Sequence, residues 1–300
     1  MTRGGIDKRH TIILGQVSVR TPMTFKDILV HVDSTFLSRL RLRVGLKLAR
    51  RCAGRVIGLH VIPDPVVPPY FKPGAVERIA AIYAEYAQEA AKDAATIFHD
   101  QVNGADVSTE WRIEHGDVAK LLAQHARFAD LVILSQSEID EAHLVPLFLL
   151  SKEVIMSSGT PILIVPGFSV LDDIGRRIVV AWDGSREAAR AVRDSLSLLA
   201  DADRVLLVAV DPQSQGHIDS GANAAEMAAH LARHGVRVDG QEILSGERSV
   251  AEALVSEVAH DRADLLVMGA YGHARIMEFV LGGTTHSLLA KATIPVFMSR

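Results

Sequence analysis

The residues with the clearest chemical potential are glycines and hydroxyls near the C-terminus. G-A-Y-G-H-A-R-I-M-E-F-V-L-G-G-T-T spans residues 269–285 and follows the apolar run D-L-L-V-M at 264–268. Glycines let backbone N–H groups approach an anion with no side chain in the way. A helix starting at Thr284-Thr285 adds unpaired N–H donors and a partial positive charge. The threonine hydroxyls can cap that helix or bond an anion's oxygen. The chemistry is that of a phosphate cradle built from Gly269, Gly272, Gly282, Gly283, Thr284 and Thr285. It is not a Walker loop, because no G-K-[ST] closes it, and its spacing is not G-x-G-x-x-G. On spacing alone, the same glycines serve equally well to turn the chain after a strand. Within the insert at 273–281, Ile276, Phe279 and Val280 stand at helical spacing and read as a packed turn. His273 and Arg275 can reach an anion as cations or be ordinary surface, and Tyr271 can stack on a ligand or stay exposed.

The elements that must position these residues occur twice. F-K-D-I-L-V-H-V-D (25–33) is echoed by G-R-R-I-V-V-A-W-D (175–183), each a β-branched run ending in Asp and read as a buried strand. Helices are expected over 38–51 and 185–200, then strands over 55–62 and 204–211. A long Ala-rich helix at 76–98 matches a helix at about 222–234. Strands near 107–114 and 236–244, helices at 118–127 and 250–260, and strands at 129–134 and 263–268 follow. Each half closes with a helix and a Pro-bearing strand, at 160–166 and 294–299.

This alternation predicts an α/β fold. Two tandem domains are expected, each a five-stranded parallel sheet, doubly wound in three layers. Ligands on such sheets bind at the carboxyl ends of strands, near the switch in strand order. The boundary falls in a linker at 167–175, and the two halves are expected to pack as a pseudo-two-fold pair.

Composition narrows the partners. The chain has 300 residues, 48% hydrophobic and 23% charged, with a formal net charge of −4 and no Lys/Arg block. That argues against a nucleic-acid groove, which needs a basic face. Its one cysteine, Cys52, rules out a disulfide framework or a Cys-based zinc site within one chain and fits a reducing cytoplasm. No run is long and apolar enough for a membrane helix. Residues 1–23 read as a disordered leader or an upstream start rather than a secretory signal. His230 and His234, four apart on one helix, lack an evident third metal ligand and read as a solvated face.

The spacing G-x-x-G-x₉-G after A-D-L-L-V-M resembles the nucleotide loop of the universal stress protein family. A-W-D-G-S at 181–185, the Ala-Asp pair before each fourth strand and the closing I-P-V agree in order. The resemblance covers roughly residues 24–300 as two copies; the second carries the motif, the first only the layout. It implies an adenine-nucleotide-hydrolase-like fold. It further implies that ATP, with Mg²⁺, contacts the second copy (176–300) through Ala181, Asp183, Val210, Met268, Gly269, Tyr271, Gly272, Gly282, Gly283, Thr284 and Thr285. Asp183 would meet adenine, a backbone group near Val210 would do likewise, and the glycines would wrap ribose and phosphates. The family carries Ser or Thr directly after the third glycine. Gly283 stands there, so Thr284 or Thr285 must substitute, which favours binding over hydrolysis.

The first half (24–166) is an internal control. Asp130 matches Asp264 and Pro161 matches Pro295, an offset of 134. At that offset Ser135, Glu138, Phe148 and Leu149 replace Gly269, Gly272, Gly282 and Gly283. Glu138 would repel a phosphate. One nucleotide per chain is expected, in the second half, with Asp33 serving as a helix cap. The apolar run 144–150 is expected to pack, or to cover a pocket for an uncharged ligand. The functional expectation is a cytoplasmic, ATP-binding stress-response sensor or regulator, dimeric, acting through a protein partner. A slow ATPase, with Asp183 or Thr285 placing Mg²⁺, and a nucleotide-free scaffold are the alternatives.

Overall fold

A computed structural model describes residues 25–64, 73–136, 147–167, 173–211, 224–271 and 284–300. The leader read at 1–23 lies outside these residues, as do Gly272, His273, Arg275, Gly282, Gly283 and Glu138. Contacts divide the chain into two units, Met23–Val170 and Leu171–Arg300.

The N-terminal unit runs β1 (Asp27–His31), α1 (Leu37–Cys52), β2 (Arg55–Ile62), α2 (Pro73–Val102), β3 (Ser108–His115), α3 (Val118–Ala126), β4 (Leu131–Ser135), α4 (Leu147–Ser158) and β5 (Ile162–Val165). Its strands are parallel and ordered β3-β2-β1-β4-β5. α1 packs on α2 and α3 on α4.

The C-terminal unit runs β6 (Arg177–Ala181), α5 (Arg186–Asp194), α6 (Leu196–Asp201), β7 (Arg204–Val210), α7 (Ala224–Arg233), β8 (Val238–Ile243), α8 (Val250–His260), β9 (Leu265–Gly269), α9 (Thr284–Lys291) and β10 (Val296–Ser299). Its parallel order, β8-β7-β6-β9-β10, is the same one in its own count. Each unit is therefore a doubly wound three-layer domain. Strand order reverses between β1 and β4, and between β6 and β9, and these gaps are the crevices where such sheets bind ligands.

The central strands are covered on both faces, so they are apolar throughout. Ile28, Leu29 and Val30 of β1 and Leu131, Val132 and Ile133 of β4 are buried, as are Ile178, Val179 and Val180 of β6. Burying each such side chain stabilises the fold by about 1.5–3 kcal/mol. The edge strands β3 (STEWRIEH) and β8 (VDGQEI) are polar and only partly covered. Their charges blunt exposed edges.

The Ala-Asp pair before each fourth strand has a structural task at the amino ends of the sheets. Asp264 accepts N–H bonds from Gly175 (2.7 Å), Arg176 (3.0 Å) and Arg177 (3.1 Å), tying β9 to the start of β6. Asp130 does the same for Lys26 (2.6 Å) and Asp27 (2.9 Å) at the start of β1. One expectation needs correction. The single helix expected over 185–200 is two, α5 and α6, divided at Ser195. The Ser195 hydroxyl donates back to the Ala191 carbonyl (2.7 Å), sharing that acceptor with the Ser195 N–H (3.0 Å), a pattern that weakens helix interiors.

Candidate functional site at the carboxyl ends of β6 and β9

The C-terminal crevice is lined by the last residues of three strands. Ala181 ends β6, Val210 ends β7, and Met268 and Gly269 end β9. Val210 and Met268 are buried, so what they present at the strand ends is backbone. Beyond β6, the Asp183 carboxylate accepts from the Ser185 N–H at 3.0 Å, forming a local turn. Ser185 is the N-cap of α5, its hydroxyl accepting from Ala188 N–H at 3.1 Å. Capping of α5 thus falls to Ser185, and Asp183 holds the turn ahead of it, half-buried at the mouth of the crevice.

Gly269 is where the strand end meets this helix. A Cβ there would stand 2.5 Å from Ala188 N and 2.9 Å from Glu187 Cβ. Any side chain would force the first turn of α5 away from β9. Two residues on, Tyr271 has a φ of 56°, the left-handed region that β-carbon sterics disfavour. Strain of this kind persists where the surroundings over-determine it, and it clusters at ligand sites. The Tyr271 N–H reaches the Thr285 hydroxyl of α9 at a long 3.5 Å, and Thr285 is itself buried. This contact spans the segment between β9 and α9. Burial pushes the Tyr271 phenol up to about 12.

Ala181, Asp183, Val210, Met268, Gly269, Tyr271 and Thr285 therefore all lie at the carboxyl ends of this sheet or at the α9 start beside it. Thr284 begins α9, and its side chain lies outside the described residues. Sequence reasoning missed Glu187, which is only 3% exposed in the first turn of α5, against Gly269, with its carboxylate 2.6 Å from Arg186 Nε. No local pattern distinguishes it from a surface glutamate. His230 and His234 do meet, with ring centroids 4.7 Å apart, and both are exposed. No group of three or more His, Cys, Asp or Glu able to hold a metal occurs among the described residues.

The N-terminal crevice is built differently. Asp33 is not the N-cap of α1; Phe36 holds that position without a side-chain bond. The Asp33 carboxylate instead accepts from Thr35 N–H at 2.9 Å and from the Arg41 guanidinium at 2.7 Å. Burial acts to raise the Asp33 pKa, but the charges of Arg41 and His31 and bonds from Thr35 and Arg41 outweigh it. They hold the carboxyl well below its ordinary range. Arg41 was not singled out from the sequence. The signal was present: it stands with Leu37, Val44 and Leu48 on the buried face of α1, where a charge is exceptional. Of the apolar run 144–150, the last four residues begin α4, and the rest lie outside the described residues.

The family model described as "Universal stress protein family" matches residues 24–166 and again 175–300. Universal stress protein Slr1230 of Synechocystis sp. strain PCC 6803 is 30% identical over 156 residues. That match spans half of this chain and half of the relative's length. A universal stress protein from Archaeoglobus fulgidus shares the fold with a TM-score of 0.68 at 18% identity, over 91% of this chain and 96% of its own. A putative universal stress protein from Pseudomonas aeruginosa does so with a TM-score of 0.56 at 15% identity, over 92% and 93%. No helix among the described residues is long and apolar enough to cross a membrane.

Proposed function

Since the chain belongs to the universal stress protein family, we propose that its C-terminal unit binds ATP between the carboxyl ends of β6 and β9. The nucleotide then sets the state of a cytoplasmic stress-response regulator. Gly269 is the observation that carries this reading. A bare backbone at the strand end lets the first turn of α5 close on β9, which brings the N-terminal end of that helix to the switch in strand order where such sheets bind ligands. Asp183 and the backbone near Val210 are assigned to adenine, and the segment from Gly269 through Gly272, Gly282 and Gly283 to Thr285 to ribose and phosphates. Mg²⁺ would arrive with the phosphates, as it commonly does.

In this reading, residues 176–300 are the nucleotide domain, 24–166 its nucleotide-free counterpart and 167–175 the linker. Binding rather than turnover is the favoured output, because Gly283 stands where the resemblance calls for a hydroxyl. Signal transfer then runs through a homodimer or a regulatory protein.

Mass spectrometry of small molecules released by denaturing the purified protein tests the reading directly. An adenine nucleotide is expected, at one per chain. ATP should also raise the melting temperature of the wild type and not of Gly272→Glu. Absence of a shift with every adenine nucleotide overturns the proposal. ADP release above a no-protein control, lost in Asp183→Ala, would move the reading to a slow ATPase.

A further inference from the structure

We propose that the crevice of the N-terminal unit is a cation site occupied from within, with the Arg41 guanidinium as its permanent ligand. The two units can be compared residue by residue here. Thr35 N–H bonds Asp33 as Ser185 N–H bonds Asp183, so the first strand ends and helix starts correspond at an offset of 150. At that offset Ala188 replaces Ser38 and Ala191 replaces Arg41. The C-terminal crevice has methyl groups and a bare glycine where the N-terminal one has two hydroxyls and a guanidinium.

Arg41 ties together the chain just beyond β1, α1 and the end of β4 at the switch in strand order. Its Nη2 donates to the Asp33 carboxylate beyond β1 at 2.7 Å and lies 2.6 Å from the Ser38 hydroxyl on α1. Its Nη1 donates to the Ser135 hydroxyl at the end of β4. Ser38 accepts from Asp33 N–H at 2.8 Å and lies 2.8 Å from the Asp33 carbonyl oxygen. Arg41 and Ser38 are 0% exposed, and Ser135 is 6% exposed. The His31 ring stands 3.9 Å from the same carboxylate.

The polarity of this pocket is opposite to a phosphate cradle. Without Arg41 it would present one carboxylate and two hydroxyl oxygens to a buried space, a set that seeks a planar cation. A glycine at 269 and a serine at 135 therefore do different work. Gly269 lets the first turn of α5 close on β9, whereas Ser135 supplies a ligand atom to an internal guest. The N-terminal unit is held closed by its own side chain and needs no nucleotide to span its crevice.

Chemical rescue tests this without nucleotide, so its outcome is independent of the ATP proposal. The chain has two tryptophans, Trp111 and Trp182, one in each unit. In a full-length Trp182→Phe background, Trp111 fluorescence reports melting of the N-terminal unit. Arg41→Ala is expected to lower that melting temperature by roughly 10 °C. Millimolar methylguanidinium should restore part of the loss in Arg41→Ala and leave the Arg41 protein unchanged, while sodium chloride at equal ionic strength should not. The response should vanish in Asp33→Asn/Arg41→Ala. An unchanged melting temperature in Arg41→Ala overturns the proposal, as does an equal methylguanidinium effect with Arg41 present or rescue that survives Asp33→Asn. Should Arg41→Ala fail to fold, Arg41→Met is compared with Asp33→Asn/Arg41→Met. The double variant must then be the more stable, because it leaves no unpaired carboxylate, and the reverse order overturns the proposal.

Discussion

Gly269 and Ala188 approach so closely that a Cβ on the glycine would lie 2.5 Å from the Ala188 nitrogen. This places the end of β9 against the first turn of α5 backbone to backbone. It predicts a specific outcome for Gly269→Ala. The methyl must push α5 outward, at a cost of about 1–3 kcal/mol typical of overpacking. The melting temperature of the C-terminal unit should fall, and the ATP-induced shift should be lost. A Gly269→Ala protein with wild-type stability would mean that α5 is free to move.

Asp264 and Asp183 sit at opposite ends of the same sheet, so their alanine variants should separate folding from binding. Asp264→Ala strands the N–H groups of Gly175, Arg176 and Arg177. A loss of about 2–4 kcal/mol is expected in denaturant titration, with ATP affinity of the folded protein unchanged. Asp183→Ala should do the reverse, weakening ATP binding at least tenfold in calorimetry with little effect on stability. Equal effects of both variants on affinity would contradict this division.

Acid should weaken the N-terminal unit through Asp33. Its folded pKa lies below the ordinary value of 3.8, held there by Arg41 against the opposing effect of burial. A depressed carboxyl contributes stability that is full above the unfolded pKa and is lost as pH falls toward the folded one. The Trp111-monitored melting temperature should decline first as pH falls through about 6.5, where His60, its pKa lowered by burial, gains its proton more readily in the unfolded chain, and should decline again below about pH 4 through Asp33. Asp33→Asn should start lower at neutral pH and show a shallower acid decline. Parallel acid profiles for the two proteins would remove Asp33 from the account.

At the alkaline end, Tyr271 should ionise late. Burial raises its phenol to about 12, against an ordinary 10.0. The unfolded chain ionises first as pH rises past 10, so stability falls between pH 10 and 12. Absorbance titration at high pH should show one late phenol among the four tyrosines, absent from Tyr271→Phe. Four phenols titrating together would show that this ring is open to water.

Much of the architecture was legible in residue order. The β-branched runs ending at Asp33 and Asp183, the Ala-Asp pairs before β4 and β9, and the helix at 250–260 each carry a local signal of pattern or capping. The helix α8 is bounded as expected because Ser249 and Glu252 form a capping box. The division of 185–200 was not legible. Every residue there suits a helix, and the Ser195 hydroxyl, which shares the Ala191 carbonyl with its own N–H, has no signal in spacing.

What the sequence by itself determined is the repeat, the strand and helix alternation that dictates a parallel sheet, and the replacement in the first copy of the four loop glycines by Ser135, Glu138, Phe148 and Leu149. Those are matters of pattern, and pattern survives without coordinates. Tertiary structure alone decided what that replacement meant. Arg41 and Ser135 are 94 residues apart and meet only when β4 lies beside β1. Gly269 reads as a loop residue until α5 folds back against it. Contacts between distant residues depend on which strands become neighbours, and short-range periodicity does not encode that. The two crevices therefore share a layout in residue order, and only the folded contacts show what chemistry fills the first.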